Sequence, residues 1–296
     1  MGRKPKNATD SRRAAVRAWL CAVVVLAATA VLALAQLPLE PQREAGAGVT
    51  GAFEGWFRNQ DGTFSLLLGY YNRNRKQEVD IPIGPDNRIE PGGPDRGQPT
   101  HFITGRGWGL FTIKVPVDFA QNRLVWTLKV NGQTTTIPMS LKPDWELSPF
   151  VEASVGNTPP VISFEEKGPA VQGPQGLTVE RTAKAGIPLP LTTWVSDDAR
   201  FTSNSGARPK NLQPPVTLRW TVYRGAGGVA FSTERPAVEK VERAGSAFAG
   251  IAKTTATFTK PGEYVLHVVA NDYSGEGGAG FQCCWTSGHI KVSVQP

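Results

Sequence analysis

Apolar and polar positions alternate most clearly in a stretch near the C-terminus of the chain. From Tyr264 to Ala270 every second residue is apolar, and these residues share one face of an extended strand. The residues between them, which include His267 and continue to Asn271, fall on the opposite face. Pro261-Gly262 precedes the strand and predicts a tight turn, because proline presets φ and glycine allows a positive φ. The stretch therefore predicts a strand of a β-sandwich.

The same period of two recurs in two groups of segments, and each group is large enough for one sandwich. The pair Asn131-Gly132 separates two β-rich arms and is the preferred pair of a two-residue hairpin turn. Alternation places Trp126 and Trp220 on apolar faces, so both are predicted to be core residues. The predicted strands are residues 53–58, 63–71, 78–83, 109–115, 124–130 and 133–138 in the first group, and 161–164, 177–183, 187–195, 216–223, 251–259, 264–271 and 289–294 in the second.

The sequence predicts an all-β fold with two β-sandwich domains in tandem behind an N-terminal signal helix. Thirty-two glycines and 24 prolines among 296 residues favour many turns, and helix-period segments are scarce after the N-terminus. The expected boundaries are a signal peptide or signal anchor at 1–35, a spacer at 36–50, a first sandwich at 51–150, a linker at 151–158 and a second sandwich at 159–296. We expect few contacts to cross the Pro-rich boundary, so that the second domain folds alone.

The N-terminus has the pattern of an export signal. A basic segment precedes the uncharged run from Trp19 to Ala35, and Ala33-Leu34-Ala35 is an A-x-A cleavage site before Gln36. Cleavage is favoured, and an uncleaved membrane anchor is the alternative. In either case the positive-inside rule places the remainder outside the cytoplasm, as a secreted or periplasmic protein or as one anchored by its N-terminal helix.

Charge argues against nucleic acid as a partner. The formal net charge is +7, but six of the 32 basic residues and one of the 25 acidic residues lie in the first 35 positions. The rest of the chain is therefore nearly balanced, whereas nucleic-acid binding requires a clustered basic face on the mature domain. Contact with a membrane is expected only through the N-terminal segment, if that segment is uncleaved.

One part of the first domain combines aromatic and basic residues around a long loop from Pro82 to Thr100. Loops of this length in compact domains are usually functional or disordered. The pattern favours either a binding surface for a glycan or an acidic polymer, or an ordinary solvated strand end. The candidate ligand-binding residues are Tyr70, Tyr71, Arg73, Arg75, His101, Arg106 and Trp108, with the aromatic side chains as stacking platforms.

The sequence contains no recognisable catalytic motif. Its three histidines are far apart along the chain, and it lacks H-E-x-x-H, G-x-S-x-G and a phosphate-binding glycine loop. We therefore expect a non-enzymatic exported binding or cell-envelope structural module without a cofactor, whose partner is a protein or a glycan of the envelope. Two alternatives are a carbohydrate-binding protein that uses the exposed aromatic residues, and an enzyme with a site near His101 under the long loop.

The C-terminal half resembles a known family of modules. Residues 261–275, together with Asn157-Thr-Pro-Pro-Val161 and residues 185–198, are similar to PKD and related cadherin-like or immunoglobulin-like repeats of bacterial exported proteins. The family's W-D-F-G-D-G stretch is replaced here by residues 220–225. The resemblance implies an immunoglobulin-like sandwich used for adhesion, spacing or glycan and partner binding.

The resemblance also suggests Ca²⁺ as a ligand. In cadherin-like sandwiches, aspartates at strand ends can bind Ca²⁺ through oxygen atoms, and Asp197, Asp198 and Asp272 follow two predicted strands. The alternative is that the three aspartates only form turns, which aspartate does well.

Two adjacent cysteines are the remaining candidates for chemistry. Cys283 and Cys284 are the only cysteines left after signal cleavage removes Cys21, and export favours their oxidation. We predict a vicinal disulfide rather than a bridge between chains. Such a small ring stabilises little, so replacing both residues with serine is expected to cost little unless a sulfur is buried.

Overall fold

The computed structural model describes residues 43–153, 155–201, 214–225, 227–276 and 283–296. The predicted signal segment, its cleavage site and residues 202–213 between two of the predicted strands lie outside the described residues. The described residues belong to one compact unit. No helix within these ranges is long and apolar enough to cross a membrane.

The described residues before position 140 form the predicted first sandwich. Its two antiparallel sheets have the strand orders β1-β2-β6 and β4-β7-β8, and β3 and β5 form a short separate pair. Leu66 and Leu68 of one sheet pack with Leu128 of the other in a common core. The strands are β1 (Val49–Arg58), β2 (Phe64–Asn72), β3 (Val79–Asp80), β4 (Asn87–Glu90), β5 (His101–Phe102), β6 (Gly105–Val115), β7 (Leu124–Val130) and β8 (Gln133–Met139).

The hairpin between β7 and β8 confirms the turn predicted at Asn131-Gly132. Val130 pairs with Gln133, and the two turn residues have φ angles of 51° and 73°, as a primed turn requires. Trp126 is fully buried, which confirms it as a core residue. Its indole Nε1 donates to Asn87 Oδ1 at 3.0 Å, so the only polar atom of the ring is paired inside the core.

The expected long loop from Pro82 to Thr100 is more ordered than the sequence predicted. It contains β4, which pairs with β7 at the edge of a sheet. The buried side chain of Asn87 donates to the carbonyl oxygens of Ile81 and Pro99 and so ties the two ends of the segment together. The short strand escaped prediction because a four-residue strand rich in Asn, Arg and Glu has no apolar alternation.

The second half forms an immunoglobulin-like sandwich. One sheet has the order β10-β9-β12-β16-β14, with β15 also paired to β16, and the other has the order β11-β18-β17-β13. Trp220 is 1% exposed in the core between the sheets, as predicted. The strands are β9 (Val161–Ser163), β10 (Ala170–Gln172), β11 (Leu177–Lys184), β12 (Leu189–Asp197), β13 (Thr217–Arg224), β14 (Val229–Phe231), β15 (Val238–Lys240), β16 (Phe248–Phe258), β17 (Gly262–Asn271) and β18 (Trp285–Gln295).

Strand order supports this assignment. The first, second and fifth strands of the immunoglobulin pattern share one sheet, while the third, sixth and seventh share the other. Here β9, β12 and β16 lie in one sheet, and β13, β17 and β18 lie in the other. A parallel pairing of β11 with β18 completes the second sheet.

The outer face of the β13-β17-β18 sheet is not a solvent face. Tyr223, His267 and Trp285 lie on it, and each is 5% exposed or less. Tyr223 belongs to the core cluster of the first sandwich, and its hydroxyl donates to Gly97 O at 2.6 Å. Trp285 packs with Phe57 and Leu67 of the first sandwich. The expectation that few contacts cross between the two halves is therefore wrong.

The segment before β5 adds polar contacts between the halves. The Arg224 guanidinium donates to both carboxylate oxygens of Asp95, at 3.0 and 2.8 Å, and to Gln98 O at 2.8 Å. Thr100 N donates to Tyr223 O at 3.1 Å. The proposed domain boundaries at 150 and 159 stay a prediction. The contacts between the halves were missed because alternation within β17 does not show whether the second face of the strand is covered.

Gly109 is the point at which Trp285 reaches the first sandwich. Gly109 has a φ of 47°, and Trp285 Nε1 donates to its carbonyl oxygen at 3.3 Å. A Cβ atom on Gly109 would overlap the six-membered ring of Trp285. Glycine is therefore required at this position both for the backbone conformation and for the approach of the indole.

We expect Gly109→Ala to loosen the contact between the halves. The overlap with Trp285 adds roughly 1–3 kcal/mol to the backbone cost of a positive φ. Gly105→Ala is the matched control, because Gly105 begins the same strand with a φ of 82° and has no atom of the described residues within 4 Å of its Cβ position. Chemical denaturation monitored by tryptophan fluorescence should show a larger loss of unfolding free energy for Gly109→Ala than for Gly105→Ala. Equal losses would refute the role of the indole contact.

Candidate ligand-binding cleft

A small cleft lies between β6 of the first sandwich and the outer face of β13, β17 and β18. Its cavity volume is about 50 Å³, which accommodates part of a ligand or a few water molecules. Most of its wall is apolar. The apolar side chains that line it are Ile103, Leu110, Val222, Val269 and Trp285.

The rim of the cleft carries an exposed tryptophan fixed by an arginine. Trp108 is 44% exposed, and the Arg106 guanidinium carbon lies 4.2 Å from its ring centroid. Arg106 in turn donates to Glu54 Oε1 at 2.8 Å and to Tyr70 O at 2.8 Å. Burial raises the pKa of Glu54, and the Arg106 charge opposes that shift. One face of the indole is thus held in place while the side chain remains accessible to a ligand.

Three polar atoms of lining residues are buried without a hydrogen-bond partner in the described part of the chain. They are Nε of Arg219, Nε2 of His267 and Oδ1 of Asn271. His267 is 1% exposed and Asn271 is 4% exposed. Since buried polar atoms are nearly always paired in native proteins, these three give the cleft unused hydrogen-bonding capacity.

The imidazole of His267 belongs to a buried aromatic stack. It lies 4.7 Å from the ring of His289 at an interplanar angle of 29°, and Tyr223 packs 4.8 Å from His289. Burial holds the pKa of His267 well below its usual range, and the neighbouring imidazole lowers it further. Burial and the Arg224 charge lower the pKa of His289 to about 4. Both rings are neutral at neutral pH, so each has one donor and one acceptor nitrogen.

The structure brings four of the seven predicted ligand-binding residues to this cleft, namely Tyr70, His101, Arg106 and Trp108. Tyr71, Arg73 and Arg75 are exposed and are not among the residues that line it. Whether any of the seven binds a ligand stays a prediction.

Two of the four residues differ from the predicted role. Tyr70 is 3% exposed and its hydroxyl accepts from Ile103 N at 2.9 Å, so it is part of the wall and not an exposed stacking platform. The His101 nitrogens contact Asp80 at 2.8 Å and Glu78 at 3.2 Å. Alternation along the strand explains why Tyr70 is buried: its side chain points inward, while that of Tyr71 points outward.

Sequence reasoning missed the residues that the second sandwich contributes to the cleft. Arg219, Trp285, His267 and Asn271 all lie on the outer face of their sheet. One sequence signal could have identified them: His267 and Asn271 occupy the second face of β17, between residues that point into the core. That signal identifies the face but not the element that covers it.

The three predicted calcium ligands lie at one pole of the second sandwich. Burial, together with the charges of Asp272 and Asp198, raises the pKa of Asp197 to about 7 against the opposing hydrogen bond from Ala199 N. Their oxygens also hold the chain before β9: Asp272 Oδ2 accepts from Asn157, and Asp198 Oδ2 accepts from Thr158 N and Oγ1.

No group of three or more His, Cys, Asp or Glu side chains within the described ranges is arranged to hold a metal ion. The calcium site stays a prediction. The three aspartates also accept hydrogen bonds that form turns and fix the segment before β9.

Cys283 and Cys284 are joined as a vicinal disulfide directly before β18. Both residues are 0% exposed. Cys284 N donates to Ser274 Oγ at 2.8 Å, and Cys284 Sγ lies 3.4 Å from Asn157 O. The serine substitutions were expected to cost little only if neither sulfur is buried. Both sulfurs belong to buried residues, so serine would bury two hydroxyls and is expected to reduce stability.

We expect the mature protein to be two hydrogens lighter than its reduced form by intact mass and to run as a monomer on a non-reducing gel. Cys283→Ser with Cys284→Ser should cost roughly 1–3 kcal/mol more in denaturation than the paired alanine substitutions, because serine buries polar hydroxyls. Two free thiols by alkylation, or a reducible dimer, would contradict the disulfide.

The histidine stack predicts a specific dependence of stability on pH. The pKa of His289 is lower in the folded chain than in the unfolded chain, so its stabilising contribution is present above about pH 6.5 and is lost as pH falls towards 4. Between pH 6.5 and pH 5 the free energy of unfolding should fall by about 2 kcal/mol relative to His289→Gln. The raised pKa of Asp197 acts in the opposite direction but is common to both proteins. If the difference in unfolding free energy between the wild-type protein and His289→Gln does not change with pH, the lowered pKa of His289 is contradicted.

No family model matches the sequence, and no curated protein matches it. Among solved structures, the D00-D0 domain of intimin is similar, with 14% identity over 83% of this chain and 99% of that chain and a TM-score of 0.23. Cadherin-like domains 1 to 4 of zebrafish RET share 14% identity over 75% of this chain and 46% of that chain, with a TM-score of 0.26. Domains 4 and 5 of the S-layer protein SbsC share 12% identity over 84% of this chain and 98% of that chain, with a TM-score of 0.21. At these values the likeness carries no argument about function.

Proposed function

We propose that this protein is a non-enzymatic binding module that acts outside the cytoplasm and holds a glycan of the cell envelope in the cleft. The observation that carries the proposal is the accessible Trp108, which Arg106 holds at the rim of a mostly apolar cleft lined by Arg219, His267 and Asn271.

The chemistry of the cleft suits a sugar. The apolar face of a pyranose ring packs on an aromatic ring, and Trp108 leaves 44% of its surface accessible for such packing. Sugar hydroxyls both donate and accept, and the residues that line the cleft include the donor Arg219 and two side chains that can donate and accept, Asn271 and the neutral His267. An apolar cleft with a few convergent polar groups is the usual form of a ligand site.

The surroundings of His101 favour binding over catalysis. Both of its ring nitrogens contact carboxylates, of Asp80 and Glu78, and so neither nitrogen is directed at a ligand in the cleft. The segment that would cover an active site under the enzyme alternative instead bonds to Tyr223 and Arg224. The location outside the cytoplasm rests on the pattern of the N-terminal segment.

A glycan array probed with the exported protein tests this proposal, followed by titration of the best oligosaccharide. Trp108→Ala should weaken binding about tenfold or more, which corresponds to roughly 1.4 kcal/mol of lost contact. Trp145→Ala is the matched control, because Trp145 is 46% exposed and is not among the residues that line the cleft.

The two variants separate a specific site from general loss of surface tryptophan. Equal weakening by both would move the binding site away from the cleft. An array on which the wild-type protein binds no glycan would refute the proposed function.

A further inference from the structure

We propose that the cleft selects acidic sugars, and that Arg219 binds their carboxylate. This inference rests on the proposed function and names the class of glycan. The chemistry is that of a pyranose with a carboxylate substituent, as in a uronic acid. Two arginines lie at the cleft, Arg106 and Arg219, and they differ in their remaining hydrogen-bonding capacity.

Arg106 already makes three hydrogen bonds within the protein. Its Nη2 donates to Glu54 Oε1 at 2.8 Å, and its Nη1 donates to Tyr70 O and to Gly107 O. Glu54 is 8% exposed in its side chain and neutralises the guanidinium charge. Arg106 is therefore a positioning residue that holds Trp108, and it adds little net charge for a ligand.

Arg219 differs from Arg106 in each of these respects. Its side chain is 29% exposed, and its nearest carboxylate oxygen, on Glu276, lies 3.8 Å from Nη1, which is beyond hydrogen-bond distance. Its Nε is buried and has no hydrogen-bond partner in the described part of the chain. Its two Nη atoms donate no hydrogen bond among the described residues, so the exposed end of the guanidinium is available to bond a carboxylate.

Glu276 does not neutralise Arg219 because it is shared with a second arginine. Arg235 Nη2 donates to Glu276 Oε1 at 2.9 Å, which is much closer than the contact of Arg219 with the same oxygen. Two guanidinium charges therefore face one carboxylate, and one positive charge remains. Burial raises the pKa of Tyr70, and the hydrogen bond from Ile103 N and the charge of Arg219 both oppose that rise.

The other unpaired atoms favour a sugar over an acidic peptide. Asn271 Oδ1 is an acceptor and would not bond a carboxylate, but it accepts readily from a hydroxyl. The neutral His267 imidazole can also bond a hydroxyl, and Trp108 supplies a flat surface at the rim. A sugar with one carboxylate can pack its ring on Trp108 and bond Arg219, whereas an aspartate or glutamate side chain matches only Arg219.

Matched oligosaccharides test the inference directly. The probes are oligomers of a uronic acid and the same oligomers after reduction of their carboxyl groups to alcohols, titrated against the full exported protein. We expect about tenfold tighter binding of the acidic form, and we expect this preference to weaken at high salt. Arg219→Gln should abolish the preference while leaving weak binding of the neutral form.

Two further variants serve as controls. Arg181→Gln removes a charge from the same four-stranded sheet, at a residue 33% exposed in its side chain that is not among those lining the cleft, and should leave the preference unchanged. Arg219→Lys keeps the charge but lacks the planar fork, so it should fold and show a reduced preference. This variant decides the question if Arg219→Gln fails to fold.

The outcomes separate this inference from the proposed function. Equal binding of the acidic and neutral forms, lost in Trp108→Ala, would overturn the selectivity and leave the glycan-binding function in place. Unchanged preference in both Arg219 variants would overturn the role of Arg219. Binding of acidic peptides without binding of any glycan would overturn both proposals.

Discussion

The outer face of the β13-β17-β18 sheet is buried because the Trp285 indole enters the first sandwich at Gly109. Burying a tryptophan removes on the order of 200 Å² of surface from water, worth at most about 5 kcal/mol. Tyr223 adds a second aromatic anchor in the core of the first sandwich. The cleft exists only while these two anchors hold the halves together, since its walls come from both of them.

This docking requires the two ends of β18 to be fixed by different means. Past its midpoint, Ile290, Val292 and Val294 lie in the sandwich core and set the register. At its start, Cys284 is bonded to Cys283, and its backbone nitrogen donates to Ser274 Oγ. The start of the strand is thus held before Trp285 leaves the sandwich, so the indole needs little further ordering to reach Gly109.

The sequence predicted those parts of the fold that depend on local patterns. Alternation found the strands around Trp126 and Trp220, and the Asn131-Gly132 pair fixed its hairpin, because burial of one face and turn geometry are properties of neighbouring residues. The short strand at Asn87 and the β14 and β15 strands escaped, since sheet pairing and not their own composition makes them strands. Such pairing is not readable from a single segment.

The candidate site was half predictable for a similar reason. Trp108 and Arg106 are two residues apart on one strand, so an aromatic and a basic side chain on the same face could be read from the sequence. Arg219 and Asn271 reach the same cleft only because a second sandwich packs there. Their contribution depends on contacts between residues more than 100 positions apart, which alternation within a strand does not encode.

The unpaired atoms of the cleft set opposing requirements on stability and binding. Each buried polar atom without a partner costs roughly 1–3 kcal/mol, and a ligand that pairs with it recovers that cost on binding. At the interface, the aromatic anchors Trp285 and Tyr223 offset that cost. The contact that holds the two sandwiches together therefore also makes it possible to place polar side chains along the cleft.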